Sequence, residues 1–116
     1  MDVRFDRAKD ARAYEKGRSG LRREFGNCAD RIAQRLNELF AAENLWQIST
    51  FPPPRLHQLT GNRKGRYTVD VDRRFRILFR PDYPDAEVPR LPDGGIDKQK
   101  VEKVLVLNLM TNETHE

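Results

Sequence analysis

The sequence predicts an α+β domain, with two N-terminal helices on one face of a mainly antiparallel sheet of about four strands. Three observations predict it. Apolar residues recur at helical spacing up to Phe40, they alternate with polar ones from Tyr67 to Phe79, and Val104-Leu105-Val106-Leu107-Asn108-Leu109 is apolar on both faces. The 116 residues suffice for one modest core and would be cramped as two, so residues 1–116 are read as a single domain.

The elements follow in order. Asp2 to Asp6 supplies a short strand or an extended lead-in. Ala8, Ala11, Tyr14, Leu21 and Phe25 share a face of the charged helical region that follows, which Gly17 and Ser19-Gly20 weaken and would split. The second helix takes Asn27 as its N-cap and has Asp30 in its first turn, where the helix dipole favours an acid. Its core stripe is Ile32, Leu36, Leu39 and Phe40, with Arg31, Arg35 and Glu38 off the stripe. Asn44 to Thr50 reads as a connector whose Trp46 and Ile48 pack on the sheet edge. Pro52-Pro53-Pro54 keeps the chain extended as it enters Arg55-Leu56-His57-Gln58-Leu59. There Leu56 and Leu59 anchor, leaving His57 to point elsewhere.

Gly61-Asn62-Arg63-Lys64-Gly65 is a turn signal. A hairpin follows: Tyr67, Val69 and Val71, then Phe75, Ile77 and Phe79, face inward. Arg74, Arg76, Leu78 and Arg80 take the other side, which gives the pair a dry face and a basic face. Pro81 to Gly95 is long for a loop in so small a domain, the kind of length associated with function or mobility. The final strand, apolar on both faces, belongs inside the sheet.

Charge narrows the partners. The formal net charge is +4 and the isoelectric point about 9.5. Arg55, Arg63, Lys64, Arg66, Arg73, Arg74, Arg76 and Arg80 cluster in one stretch that holds only Asp70 and Asp72 as acids. Such a field favours a polyanion such as nucleic acid, and a solvated basic surface is the alternative. Cys28 is the single cysteine, so an internal disulfide is excluded, and with two histidines a structural zinc site is disfavoured. The N-terminus has no apolar leader and no run reaches transmembrane length, so the expectation is a cytoplasmic protein off the membrane, with no metal or cofactor.

RNA can be cleaved without a metal when its 2′-OH attacks the adjacent phosphate. The reaction needs a base, an acid and cations around the phosphorane. Histidine titrates near neutrality, and the arginine fork matches two phosphate oxygens. His57 and His115 are the two histidines; one precedes the basic turn and the other follows the last strand. Arg76 sits mid-strand on the face opposite Phe75 and Ile77, where an arginine needs a ligand or a cross-strand partner, Asp70 or Asp72. Arg80 is nearer the loop, and Arg63 and Lys64 lie on the turn, suited to backbone phosphates.

The run Arg55-Leu56-His57-Gln58-Leu59-Thr60-Gly61-Asn62-Arg63-Lys64-Gly65-Arg66-Tyr67-Thr68-Val69-Asp70-Val71, followed by Phe75-Arg76-Ile77-Leu78-Phe79, resembles the HigB branch of the RelE/ParE toxin superfamily (plasmid maintenance killer proteins). The helical stretch from Phe25 to Ala42 and the ending Asn112-Glu113-Thr114-His115-Glu116 resemble the same branch. The resemblance implies a microbial RNase-like fold of two helices against a curved sheet. It also implies a toxin of a type II toxin–antitoxin system, a metal-independent mRNA endonuclease working in the ribosomal A site. Its partners would be mRNA, the ribosome and a HigA-like helix-turn-helix antitoxin, with a homodimer or a toxin–antitoxin heterotetramer left open. By motif position His57, Arg76, His115 and Glu113 match catalytic residues, and Arg55, Arg63, Lys64, Arg66 and Arg80 are the expected RNA contacts. Two positions depart from the pattern: Thr60 stands where the family often has Lys, and Thr114 where it often has Tyr. A ParE-like gyrase inhibitor and a catalytically weakened RNA- or antitoxin-binding relative are the alternatives.

Overall fold

Gly17 divides the first helical region. Its φ is +71°, a left-handed conformation that breaks an α-helix, so the chain forms helix α1 (Ala8–Glu15) and helix α2 (Gly17–Phe25) in place of one continuous element. Gly20 lets the two cross closely, since a Cβ there would lie 2.5 Å from the Ala13 carbonyl oxygen. The computed structural model describes residues 1–52, 55–61 and 64–112. Around these helices it places strand β1 (Asp2–Phe5), helices α3 (Ala29–Ala41) and α4 (Leu45–Ser49), and strands β2 (Leu56–Gln58), β3 (Tyr67–Asp70), β4 (Arg76–Pro81) and β5 (Lys103–Thr111).

The α+β class holds, and its details change. The helices preceding the hairpin number four among the described residues, not two. The sheet has five strands, in the order β1-β5-β4-β3-β2, because the short stretch around His57 pairs as an edge strand. It is mixed: β1 runs parallel to β5 and the remaining pairings are antiparallel. Register shifts around Leu78 interrupt the β4–β5 pairing, and bulges of this kind bend a strand and increase its twist.

Ile32, Leu36 and Leu39 of α3 are at most 1% exposed and join Val69, Ile77, Phe79, Val104 and Val106 in one core. Several local expectations are corrected. Asn27 does not cap α3; residues Gly26–Cys28 form a 3₁₀ turn and Cys28 precedes the helix. Asn44 instead caps a helix where a connector was expected, its side chain accepting from the Gln47 amide at 3.0 Å. Within that helix Ile48 is buried while Trp46 stays 47% exposed. Phe40, placed on the core stripe by spacing, is 38% exposed and stacks on Tyr14. Arg35, expected off the stripe, is 3% exposed. Asp10 is fully buried: its Oδ2 accepts the Leu109 amide at 3.2 Å and so ties α1 to β5.

The segment after Pro81 is tied together by backbone contacts. Arg90 bridges Ile96 in antiparallel fashion, Leu91 and Gly95 share a 2.7 Å backbone hydrogen bond, and Ile96 is 7% exposed. Among the described residues no helix is long and apolar enough to cross a membrane.

Candidate functional site

Alternation along β3 and β4 sends Val69, Ile77 and Phe79 toward the helices and Thr68, Asp70, Arg76, Leu78 and Arg80 to the opposite face. His57 joins that second face because it pairs with Thr68. The open face is not uniformly basic: Thr68 is fully buried and Leu78 is 6% exposed, so they form a small floor between the polar groups.

Asp70 and Arg76 are direct cross-strand partners, and His57 lies one pair along on the neighbouring strand. The carboxylate of Asp70 therefore meets both. Its Oδ2 lies 3.1 Å from His57 Nε2, and its Oδ1 lies 3.1 Å from Arg76 Nε. The Arg76 contact is an ion pair without hydrogen-bond alignment, since neither atom completes a hydrogen bond in this geometry. The three side chains keep 27% (His57), 33% (Asp70) and 17% (Arg76) of their surface exposed, so they are open to a ligand yet partly walled.

The backbone of Asp70 is held from two sides. Arg35 on α3 reaches through the layer and donates Nε to the Asp70 carbonyl at 2.8 Å, while Glu38 takes Arg35 Nη1 at 3.2 Å. Burial lowers the Arg35 pKa, and the Glu38 carboxylate opposes that shift. The Asp70 amide donates to the Arg55 carbonyl at 3.2 Å. Asp72, the other acid weighed as a partner for Arg76, does a different job. It accepts the Arg74 and Phe75 amides at 2.8 Å each and shapes the hairpin turn. These amides hold its carboxyl below the ordinary value. Cys28 Sγ lies 3.5 Å from Asp72; burial first, and then that carboxylate, push the thiol pKa up, which opposes thiolate reactivity.

The other expected site residues divide. Arg55 is half-buried, and Lys64 and Arg66 are exposed. Arg80 is half-buried with Nη1 on the Pro81 carbonyl at 3.0 Å. Arg63, Glu113, His115 and the departure at Thr114 lie outside the described residues. Among the described residues no group of three or more His, Cys, Asp or Glu is placed to hold a metal. Tyr67 is not a proton carrier for the open face. It is buried against Phe79, and burial pushes its pKa up to about 12.

Chemically, the Asp70 carboxylate beside His57 Nε2 favours a hydrogen on that nitrogen and fixes the orientation of the ring. Arg76 balances the carboxylate charge and brings a guanidinium to the same spot. Sequence reading named His57 and Arg76 and offered Asp70 as an ion-pair partner; it did not see that Asp70 joins them. The signal lay in the hairpin register, which sets Asp70 and not Asp72 opposite Arg76. Arg35 left no such signal, because its spacing places it off the apolar stripe.

Compared with known protein families and curated proteins, the chain matches no family model and no curated sequence.

Proposed function

We propose that the chain is a HigB-like toxin of the RelE/ParE superfamily, a ribosome-dependent endonuclease that cleaves mRNA without a metal and is neutralised by a helix-turn-helix antitoxin. The observation that carries the reading is the meeting of His57 and Arg76 on one carboxylate, on a sheet face also bearing Arg80. Helices on one side of an open sheet and cations on the other also fit the microbial RNase-like arrangement that the motif implies.

In the reaction a base removes the proton of the 2′-OH, and that oxygen forms a bond to the adjacent phosphorus. The bond from phosphorus to the 5′-oxygen breaks, and an acid protonates the leaving oxygen. The products are a 2′,3′-cyclic phosphate and a 5′-hydroxyl end. His57, oriented by Asp70, exchanges one proton. Arg76 stabilises the charge on the phosphorane oxygens, a contribution of roughly 3 kcal/mol for a well-placed donor. The second proton carrier is assigned to His115, with Glu113 beside it, on the motif resemblance alone.

A second reading is a relative that binds RNA or antitoxin with weakened catalysis. It is favoured by the Asp70–Arg76 ion pair, which offsets the arginine's charge within the protein, and by Thr60 in place of a lysine.

Induction of wild type, His57→Ala and Arg76→Ala in growing cells, with mRNA integrity followed, tests the two. Growth arrest with cut mRNA for wild type, lost in both variants, supports the endonuclease. A harmless wild type, or an Arg76→Ala variant of equal toxicity, removes this mechanism. Arrest with DNA damage and intact mRNA would instead indicate a ParE-like action.

A further inference from the structure

At the end of the sheet where β2 closes and β3 begins, a cavity of about 610 Å³ opens between the Gly65 turn and the loop after Pro81. Its charged lining is Lys64, Arg66, Arg80 and Arg90 against Asp85 alone. A cavity between α1 and α2 is also cationic, with Lys9, Arg12, Lys16 and Arg23 against Glu24, but at about 60 Å³ it is too small for a nucleotide strand. Two cavities of comparable size are closer to balance. One of about 660 Å³ against the helices holds Arg18 with Asp30 and Glu38, and Arg18 is bound to Asp30 at 2.9 Å. Another beside β1 holds Arg4 bound to Asp82 at 2.7 Å. The cleft beside the Gly65 turn therefore combines a large cationic excess with room for a strand.

Its walls are prepared. Arg90 Nη1 is aimed by the Gly94 carbonyl at 3.0 Å, in a loop closed by the Arg90–Ile96 bridge. Tyr83 lines the cleft, its hydroxyl accepting from the Glu102 amide at 3.0 Å and one face of its ring held by Lys103 Nζ at 4.9 Å. Arg80 shares the face of β4 that carries Arg76, four residues on, roughly 13 Å along the strand. An extended single strand covers that distance in a couple of nucleotides.

We propose that this cleft is a second phosphodiester subsite, which holds single-stranded RNA beside the cleavage position and uses the loop after Pro81 as its outer wall. Cations on both sides of a groove with an aromatic wall are the usual solution for a flexible polyanion. The proposal rests on the endonuclease reading for the identity of the strand.

The test uses the intact chain and a short 2′-O-methyl RNA, which lacks the nucleophile and stays whole. Fluorescence anisotropy is measured at several salt concentrations for wild type and for Arg66→Gln/Arg90→Gln. The double variant is expected to bind about tenfold more weakly, with a log–log salt slope smaller by roughly 0.7 for each lost phosphate contact. Equal affinity and equal slope overturn the subsite. A 4-thiouridine strand should crosslink to the segment bearing Tyr83 and Arg90, and crosslinks confined to other segments overturn it as well. Inorganic pyrophosphate, added as competitor, should displace the strand only in large excess. Displacement at equal concentration would overturn the strand assignment and point to a free phosphate ligand. If wild type fails to cut mRNA while these binding results hold, the endonuclease reading falls and the cleft stands as an RNA site. If wild type cuts mRNA and binding ignores Arg66 and Arg90, the subsite falls and the endonuclease stands.

Discussion

On the helix-covered side of the sheet, Val69, Ile77, Phe79, Val104 and Val106 are at most 3% exposed. One residue away along β3 and β4, Asp70 and Arg76 keep 33% and 17% of their side-chain surface, and His57 on neighbouring β2 keeps 27%. The first group is held by burial, which is insensitive to exact geometry at each atom. The second is held by two contacts of 3.1 Å to a single carboxylate, a directional hydrogen bond to His57 and an ion pair to Arg76, and both depend on the register. Because β alternation separates the two groups by one position, a slip of one residue would exchange them. The dry face thus fixes the register on which the polar face depends.

The contrast predicts a double dissociation. The largest effect belongs to the open face: His57→Ala or Arg76→Ala should lower RNA cleavage by about 10²–10⁴-fold. The same variants should lose at most about 2 kcal/mol of stability, less than a core truncation, since side chains with 17–33% of their surface exposed are partly solvated. Cleavage assays on translating ribosomes and urea unfolding measure the two sides. Unchanged cleavage would erase the distinction between the faces.

Next is the covered face. Phe79 is fully buried and stacks on Tyr67 at 5.9 Å between centroids, so Phe79→Ala should cost about 3–5 kcal/mol in unfolding free energy. A loss below 1 kcal/mol would mean this face is not the core.

Arg35 joins the faces and should show an intermediate effect. Arg35→Met leaves the Asp70 carbonyl without its 2.8 Å donor and Glu38 without its cation, at a cost of about 1–3 kcal/mol. Unfolding free energy compared with an Arg31→Met control, at an exposed position of the same helix, measures it.

The smallest effects are in pH dependence, and the two acids have opposite signs. Burial pushes the Asp10 carboxyl above its ordinary value. Its contribution is fully present below the unfolded pKa and is lost as pH rises through the folded one. The Arg74 and Phe75 amides hold Asp72 below its ordinary value, so its contribution is present above the unfolded pKa and is lost as pH falls through the folded one. Relative to wild type, Asp10→Asn should gain stability as pH rises past about 4, and Asp72→Asn should close its deficit as pH falls below about 4. Unfolding curves collected from acid to neutral pH test both signs.

The hairpin from Tyr67 to Phe79 shows how much could be read directly. Period-two alternation assigned the dry and polar faces correctly, because side-chain direction in a strand follows from position alone. The candidates His57 and Arg76 were legible for the same reason. Asn44 shows the limit at short range: its capping chemistry was visible, but a five-residue helix carries too little periodicity to announce itself. Arg35 and Asp10 show the limit at long range. Their burial depends on partners 35 and 99 residues away, and helical spacing holds no record of those partners.

The α+β class, the two faces of the hairpin and the cations on one of them can be read residue by residue, since periodicity and local charge need no partner from elsewhere in the chain. The meeting of Asp70 rather than Asp72 with Arg76, the Arg35 hydrogen bond to the Asp70 carbonyl, and the placing of Arg90 and Arg80 in one cleft come from the three-dimensional fold. Each is a contact between elements, set by register and loop closure.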